Sequence, residues 1–367
     1  MHMVLVAGAR PNFMKVAPVL WAAEARDVKV TLVHSGQHYD HNMSDVFFDD
    51  LGIRVPDVNL GVGSGTQAEQ TASVMVEFEK VLTGAEVPVD VVTVVGDVNS
   101  TIACSLVAAK LGIHTAHVEA GLRSRDWDMP EEINRVVTDR LSDFLFAPSP
   151  DGVDNLRAEG YREDQIHLVG NVMVDTLLAN LDRARERTVL ADLGLQPQGY
   201  GLVTMHRPSN VDDPDVFAGL IGALNRVAER LPLVLPMHPR TRPKLEASDL
   251  HEQIRLVEPA GYLDFIALQA GAAVALTDSG GVQEETTMLG VACLTMRENT
   301  ERPITVSEGT NAVVGVDPDT IVAAAERILA TPPEPRRPAL WDGKAAERII
   351  DVLVAEPLAS RKRPTDL

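Results

Sequence analysis

Val89-Asp90-Val91-Val92-Thr93-Val94-Val95, followed at once by Gly96-Asp97, is the stretch that decides the fold. A β-branched run with no polar face suits a strand buried on both sides, as strands of parallel sheets are. Gly96 then ends it and leaves Asp97 at its carboxyl end. Outward from this strand the same grammar recurs. Strands are expected at 3–8, 28–34, 90–95, 114–118, 143–147 and 166–169, alternating with helices at 12–25, 66–82, 99–111, 131–141 and 150–158. After a join near Gly170-Asn171 it repeats, with strands at 200–205, 232–236, 254–257, 272–277, 291–295 and 311–315. Helices are expected between them at 213–230, 262–270, 281–289 and 318–329. Pro332-Pro333, Pro335 and Pro338 break the chain before a last helix from about 341 to 356. The expectation is α/β: two Rossmann-like, doubly wound parallel-sheet domains, 1–169 and 170–344, with their strand ends facing a central cleft.

Composition narrows the function. With 367 residues, 45% of them hydrophobic, the chain is long enough for two cores. Acidic residues outnumber basic ones, 53 to 33, and aromatics are 4%, which argues against nucleic-acid binding. Any anion must be held by local Arg, His and backbone amides rather than by the overall field. Cys104 and Cys293 each sit among apolar residues in different halves, so neither a disulfide framework nor a zinc site is expected. No apolar run approaches the roughly 20 residues of a membrane span, and the amino terminus runs into a strand rather than a signal peptide. A cytoplasmic protein is expected. His34, His38 and His41 lie four and three residues apart on an expected loop without a fourth ligand, and no metal is assigned to them.

Several stretches carry chemistry. Gly8-Ala9-Arg10-Pro11-Asn12-Phe13-Met14-Lys15 opens the first helix, where Arg10 and Lys15 can meet a phosphate or carboxylate; a surface Arg and Lys is the other reading. It lacks the Gly-x-Gly-x-x-Gly spacing of a dinucleotide site. Thr204-Met205-His206-Arg207-Pro208 and His238-Pro239-Arg240 end strands of the second half, and His206, Arg207 and His238 suit phosphate contacts. Asp278-Ser279-Gly280-Gly281-Val282-Gln283-Glu284-Glu285 starts a helix. Its unshielded amides at Ser279, Gly280 and Gly281 can seat a diphosphate, and Glu285 can accept both hydroxyls of a ribose. The alternative is a plain glycine turn with Ser or Asp as helix cap. Finally Asp97, Glu119 and Glu131 are carboxylates at strand or helix ends, beside Arg123 and Arg135. Mutual repulsion would move a pKa into a useful range; a structural ion-pair cluster is the competing account.

Taken in order, Gly-Ala-Arg-Pro with Lys15, Ser-Gly-Gln-His at 35–38, His-Val-Glu-Ala-Gly-Leu-Arg at 117–123 and Pro-Glu-Glu-Ile-Asn-Arg at 130–135 resemble the non-hydrolysing UDP-N-acetylglucosamine 2-epimerase family. Asp-Ser-Gly-Gly-Val-Gln-Glu-Glu at 278–285 and Thr-Glu-Arg-Pro at 300–303 complete a resemblance that covers nearly the whole chain. It implies the GT-B fold, a last helix (about 345–367) returning to the first domain, and a homodimer. It also implies that Ser279, Gly280, Gly281 and Glu285 hold UDP, with Arg10, His206 and Arg302 near the diphosphate. Asp97, Glu119 and Glu131 match the family's catalytic carboxylates, and Lys15 and Arg135 its supporting cations. The chain departs from the family pattern at Ala9, Asn12, Val98 and Ile304, and around His38–Met43 it lacks residues that some members use to bind a second, activating UDP-sugar.

The implied reaction is reversible epimerisation at carbon 2 of UDP-N-acetylglucosamine. UDP is eliminated to give 2-acetamidoglucal and then re-added to give UDP-N-acetylmannosamine. No cofactor is expected. The rivals are a glycosyltransferase of the same fold, a hydrolysing epimerase that releases free N-acetylmannosamine, and a non-catalytic UDP-sugar-binding protein.

Overall fold

A computed structural model of the chain describes residues 1–8, 12–36, 50–239, 241–356 and 358. Its contacts divide it into two compact units, Met1–Thr176 with Ala339–Leu367, and Leu177–Pro338.

In the first unit, seven parallel strands form one sheet: β1 (His2–Ala7), β2 (Lys29–His34), β3 (Val58–Asn59), β4 (Val91–Val95), β5 (His114–Val118), β6 (Phe144–Ala147) and β7 (Ile166–Leu168). Their spatial order is β3-β2-β1-β4-β5-β6-β7, so the winding reverses between β1 and β4. The two faces are covered by helices, and β4 is buried along its whole length, as its unbroken apolar run requires. The helix Gln67–Thr83 is started by a capping box in which Thr66 and Glu69 satisfy each other's amides, and it buries Val74, Phe78 and Leu82 at four-residue steps. The helix Ala345–Ala355 belongs to this unit. Asp175 accepts the amides of Ala345 and Ala346 at 3.2 and 2.7 Å, and Ile349, Ile350 and Leu353 are buried.

The second unit has six parallel strands: β8 (Gly201–Thr204), β9 (Leu233–Pro236), β10 (Ile254–Val257), β11 (Val274–Thr277), β12 (Ala292–Thr295) and β13 (Asn311–Val313). Their order is β10-β9-β8-β11-β12-β13, which reverses between β8 and β11. The helix Pro214–Ala228 shows how its core forms. Asp213 caps it by accepting the amides of Asp215 and Val216, Pro214 opens the first turn, and Leu220, Ala223, Leu224 and Val227 make one buried face. Ligands of such sheets bind beyond the strands' carboxyl ends near the reversal, and there stand Asp97 after β4, His206 after β8 and Asp278 after β11.

The expected strands and helices are all present within a few residues of their expected ends. The sequence reading lacked β3, which is two residues long, and several helices. The largest is Val172–Arg185, whose opening Val172-Met173-Val174 follows Gly170-Asn171 and has the look of a linker. Short turns at Val189–Asp192, Pro208–Val211, Arg242–Glu246 and Ile304–Ser307 were also missed, being too brief to carry a period. Cys104 and Cys293 are both buried and free. Among the described residues no helix is long and apolar enough to cross a membrane.

Two substitutions in the helix Pro214–Ala228 separate its end from its face. Asp213→Ala is expected to cost about 1 kcal/mol through the lost cap, and Leu224→Ala about 3 kcal/mol through transfer and cavity terms. Hydrogen exchange of the β8 and β11 amides reads both. Equal losses would mean that the helix is not held by its buried face.

Candidate functional site

In the first unit the carboxyl ends of β4 and β5 lie side by side, with Val95 opposite Val118. Gly96 adopts φ +73°, a left-handed turn, and a β-carbon there would lie 3.3 Å from Asn12 Nδ2, 3.4 Å from Lys15 Nζ and 3.5 Å from Glu119 Oε2. Glu119 is also left-handed, at φ 74°, which is uncommon outside glycine and costs about 1–2 kcal/mol. Its carboxylate is nearly sealed from water and pairs with Lys15 Nζ at 2.5 Å. Asn12 staples the two strand ends: it accepts the Gly8 amide at 2.9 Å and donates to the Val95 carbonyl at 3.0 Å.

Asp97 is partly exposed, and its Oδ2 receives Arg135 at 2.9 Å. Asn134 donates to the Asp97 carbonyl at 2.8 Å. Arg135 also binds the buried Glu132, whose oxygens accept the Ser124 and Arg125 amides. Glu131, one residue before Glu132, is half-buried. The structure therefore favours ion pairing over a repelling carboxylate trio, with Arg135 as expected but with Lys15 in place of Arg123. Arg135 takes Asp97 and Lys15 takes Glu119, whereas Arg123 turns to Asp139 and Glu159, at 2.7 Å each. Burial works against the charge of Asp139, but His117 and Arg123 outweigh it and hold the carboxyl below its ordinary range. Arg10 and the residues His38 to His41 lie outside the described residues.

In the second unit the buried Asp278 organises the turn after β8. It accepts the amides of His206 and Arg207, each at 2.8 Å, and its other oxygen stands 3.1 Å from His206 Nδ1. Burial opposes its charge, yet the His206 ring and these amides keep the carboxyl below its ordinary range. The exposed His238 ring lies 5.5 Å from that of His206. Ser279 precedes the helix Gly280–Leu289 without making any side-chain cap bond, so the simple capping account of this turn does not hold. The first amides of a helix have no partner within the helix itself.

Arg302 lies against Gly280, where a β-carbon would come within 2.9 Å of its Nη1. It pairs with Glu284 at 2.8 Å. Glu301 gathers Arg297 at 2.9 Å and Arg207 at 3.2 Å, with Arg302 at 3.8 Å; burial resists its charge, and the three guanidiniums hold it far below the carboxylate range. Thus Arg302 lies against the turn at Gly280, and Arg207 is linked to it through Glu301 in one ion-pair network. Glu285 is buried, accepting Gln269 at 2.6 Å and Tyr262 at 3.4 Å. Burial pushes it up to about 7, the charge of Glu284 adds to the rise, and the two hydrogen bonds oppose it.

The sequence reading assigned no role to Glu132, Asn134 or Asp139. Glu132, Arg135 and Asp139 recur at three- and four-residue steps along Pro130–Leu141, a spacing that marks one helix face. His117, Asp278 and Glu301 stood inside quoted motifs; the partners of His117 and Asp278 come from other elements, and Glu301 adds Arg207 to its neighbours Arg297 and Arg302.

Glu285 sets a pH dependence. Its folded value near 7 exceeds its ordinary 4.5, so the folded state keeps the proton longer and stability falls as pH rises between those values. Glu285→Gln is expected to remove that part of the slope and to gain up to about 3 kcal/mol over wild type at pH 8 but almost none near pH 4. Thermal unfolding of both proteins across that range reads it. Parallel curves would show that Glu285 is not held against its charge.

A family model described as UDP-N-acetylglucosamine 2-epimerase matches residues 22–354. The chain is 41% identical over 369 residues to the UDP-N-acetylglucosamine 2-epimerase of Methanocaldococcus jannaschii, covering 96% of this chain and 99% of that protein. It is 40% identical over 358 residues to the UDP-2,3-diacetamido-2,3-dideoxy-D-glucuronate 2-epimerase of Pseudomonas aeruginosa, covering 96% and 99%. The crystal structure of the M. jannaschii UDP-GlcNAc 2-epimerase in complex with UDP-GlcNAc and UDP is similar with a TM-score of 0.89 at 40% identity, covering 97% of this chain and 100% of that one.

Proposed function

The chain belongs to the UDP-N-acetylglucosamine 2-epimerase family, and from that premise we propose that it interconverts UDP-N-acetylglucosamine and UDP-N-acetylmannosamine by elimination and re-addition of UDP. The observation that carries the proposal is the pair of carboxylates at the adjacent ends of β4 and β5, Asp97 and Glu119, each set against a cation.

No carbonyl neighbours the C–H bond at carbon 2, so a carboxylate alone is too weak a base. As the bond from carbon 1 to the UDP oxygen lengthens, positive character at carbon 1 acidifies that proton. A carboxylate takes the proton, the C–H electrons become the C1=C2 double bond, and the C1–O pair leaves with UDP. In the return step a proton reaches the opposite face of carbon 2 and a UDP oxygen attacks carbon 1. Both steps are redox-neutral. Two faces need more than one acid/base group, and Asp97, Glu119 and Glu131 are assigned to them, with Lys15 and Arg135 in support. Departing UDP needs fixed positive charge and amides. Ser279, Gly280, Gly281, Arg302, Arg207, His206 and His238 are assigned that task in the second unit, Arg10 in the first, and Glu285 the ribose. This reading divides the chain into a carboxylate-bearing domain, 1–169 with the last helix, and a UDP-binding domain, 170–344.

A second sugar is to be tested beside the first, since the P. aeruginosa relative named for a diacetamido-glucuronate is nearly as similar as the M. jannaschii protein. The chain is further read as a cytoplasmic homodimer; light scattering that returned a single-chain mass would remove the dimer.

Incubation with either UDP-sugar in heavy water, followed by proton NMR, is the deciding experiment. The manno-configured UDP-sugar carrying deuterium at carbon 2 is the expected product, whereas free sugar plus UDP would select hydrolysis, and an unchanged spectrum would sink the proposal. Asp97→Asn and Glu119→Gln are expected to bind UDP normally yet lose at least about a hundredfold in turnover. Full activity in both would remove the carboxylate assignment.

A further inference from the structure

His117 is wholly buried on β5, so its ring is closed to solvent. Its Nδ1 lies 2.6 Å from Asp139 Oδ1, and its Nε2 lies 2.8 Å from the Gly96 carbonyl oxygen. Both partners are acceptors. A backbone carbonyl has no proton to give, and Asp139 is a carboxylate whose second oxygen already takes Arg123 at 2.7 Å and the Gly121 amide at 3.1 Å. A neutral imidazole donates from only one nitrogen and would turn a lone pair on the other acceptor.

The carbonyl that His117 holds belongs to the peptide between Gly96 and Asp97. On its far side Asn134 and Arg135 fix Asp97, at the main chain and at the carboxylate. Beside Gly96 stand Lys15 Nζ and Glu119 Oε2. The same strand continues from His117 into Glu119, whose left-handed backbone turns at its amide, bonded 3.1 Å to the Phe146 carbonyl. We propose that His117 is a positioning residue, an imidazolium that donates from both ring nitrogens to Asp139 and Gly96 and thereby sets the turn carrying Asp97 and the seat of the Lys15–Glu119 pair. It takes no proton from the substrate. Asp139, itself held by Arg123, acts through it.

The kinetic half of this inference rests on the epimerase reading; the spectroscopic half does not. In the full-length protein labelled with nitrogen-15 histidine, the His117 ring is identified as the signal lost in His117→Gln. At neutral pH it is expected to show a proton on both nitrogens. In Asp139→Asn, which keeps the shape and removes the charge, it is expected to show one. A singly protonated ring in the wild type overturns the proposal. In turnover, His117→Gln and Asp139→Asn are expected to lose about tenfold or more in kcat with KM within about twofold, since a misplaced carboxylate slows the chemistry and not the binding of UDP. Wild-type kcat in both, or a KM loss without a kcat loss, overturns the positioning role. Thermal unfolding of Asp139→Asn close to wild type separates this from a collapsed fold. If no UDP-sugar is turned over by the wild type, the epimerase reading fails alone, and the ring's protonation still decides the inference.

Discussion

The Lys15–Glu119 ion pair, 2.5 Å long and almost closed to water, is the constraint on which the first unit's site depends. A carboxylate at that depth cannot remain charged without a counter-charge. Lys15 supplies it from the first turn of the helix Phe13–Glu24, while Glu119 stands just past the end of β5. For the two to meet, the ends of β1, β4 and β5 must be level, and the side chains around them keep them so. Asn12 ties β1 to β4, and His117 ties β5 to Gly96. The left-handed conformation of Glu119 is sustained by the same ties, because strain persists only where its surroundings over-determine it.

The second unit answers the same constraint in another way. Asp278 meets amides and an imidazole, and Glu301 meets three guanidiniums. These buried acids hold their basic partners still, so that Arg207 and Arg302 are already oriented before any anion arrives. On the proposed reading this matters for the departing UDP, since preset cations need no reorganisation when charge develops. Glu285 is the exception. It has neutral partners, Gln269 and Tyr262, and correspondingly sits high, at about 7.

Much of this was legible in the chain itself. Runs such as Val91–Val95 and Val274–Thr277 announce parallel strands because both their faces must be apolar, and a carboxylate just past such a run stands at the end where ligands bind. Partner choice was not legible. Arg123 and Arg135 are twelve residues apart and equally placed to serve Asp97 or Glu119, but only the packing of Pro130–Leu141 and Pro150–Ala158 sends the first to Asp139 and Glu159. The helix Val172–Arg185 escaped notice because Gly170-Asn171 just before it reads as the join between the halves, although Leu177, Leu178 and Leu181 lie along its middle.

The helix Ala345–Ala355 belongs to the unit built from the first half of the chain, with the whole of the other unit inserted before it. That order has a consequence for synthesis. A chain emerging from the ribosome presents the seven strands of the first sheet early, yet the apolar surface meant for Ile349, Ile350 and Leu353 waits until synthesis has passed the whole inserted unit. The inserted unit is continuous and needs nothing from later in the chain to close its sheet. Domains usually mature in the order they are made; here the unit that begins first is the one that finishes last.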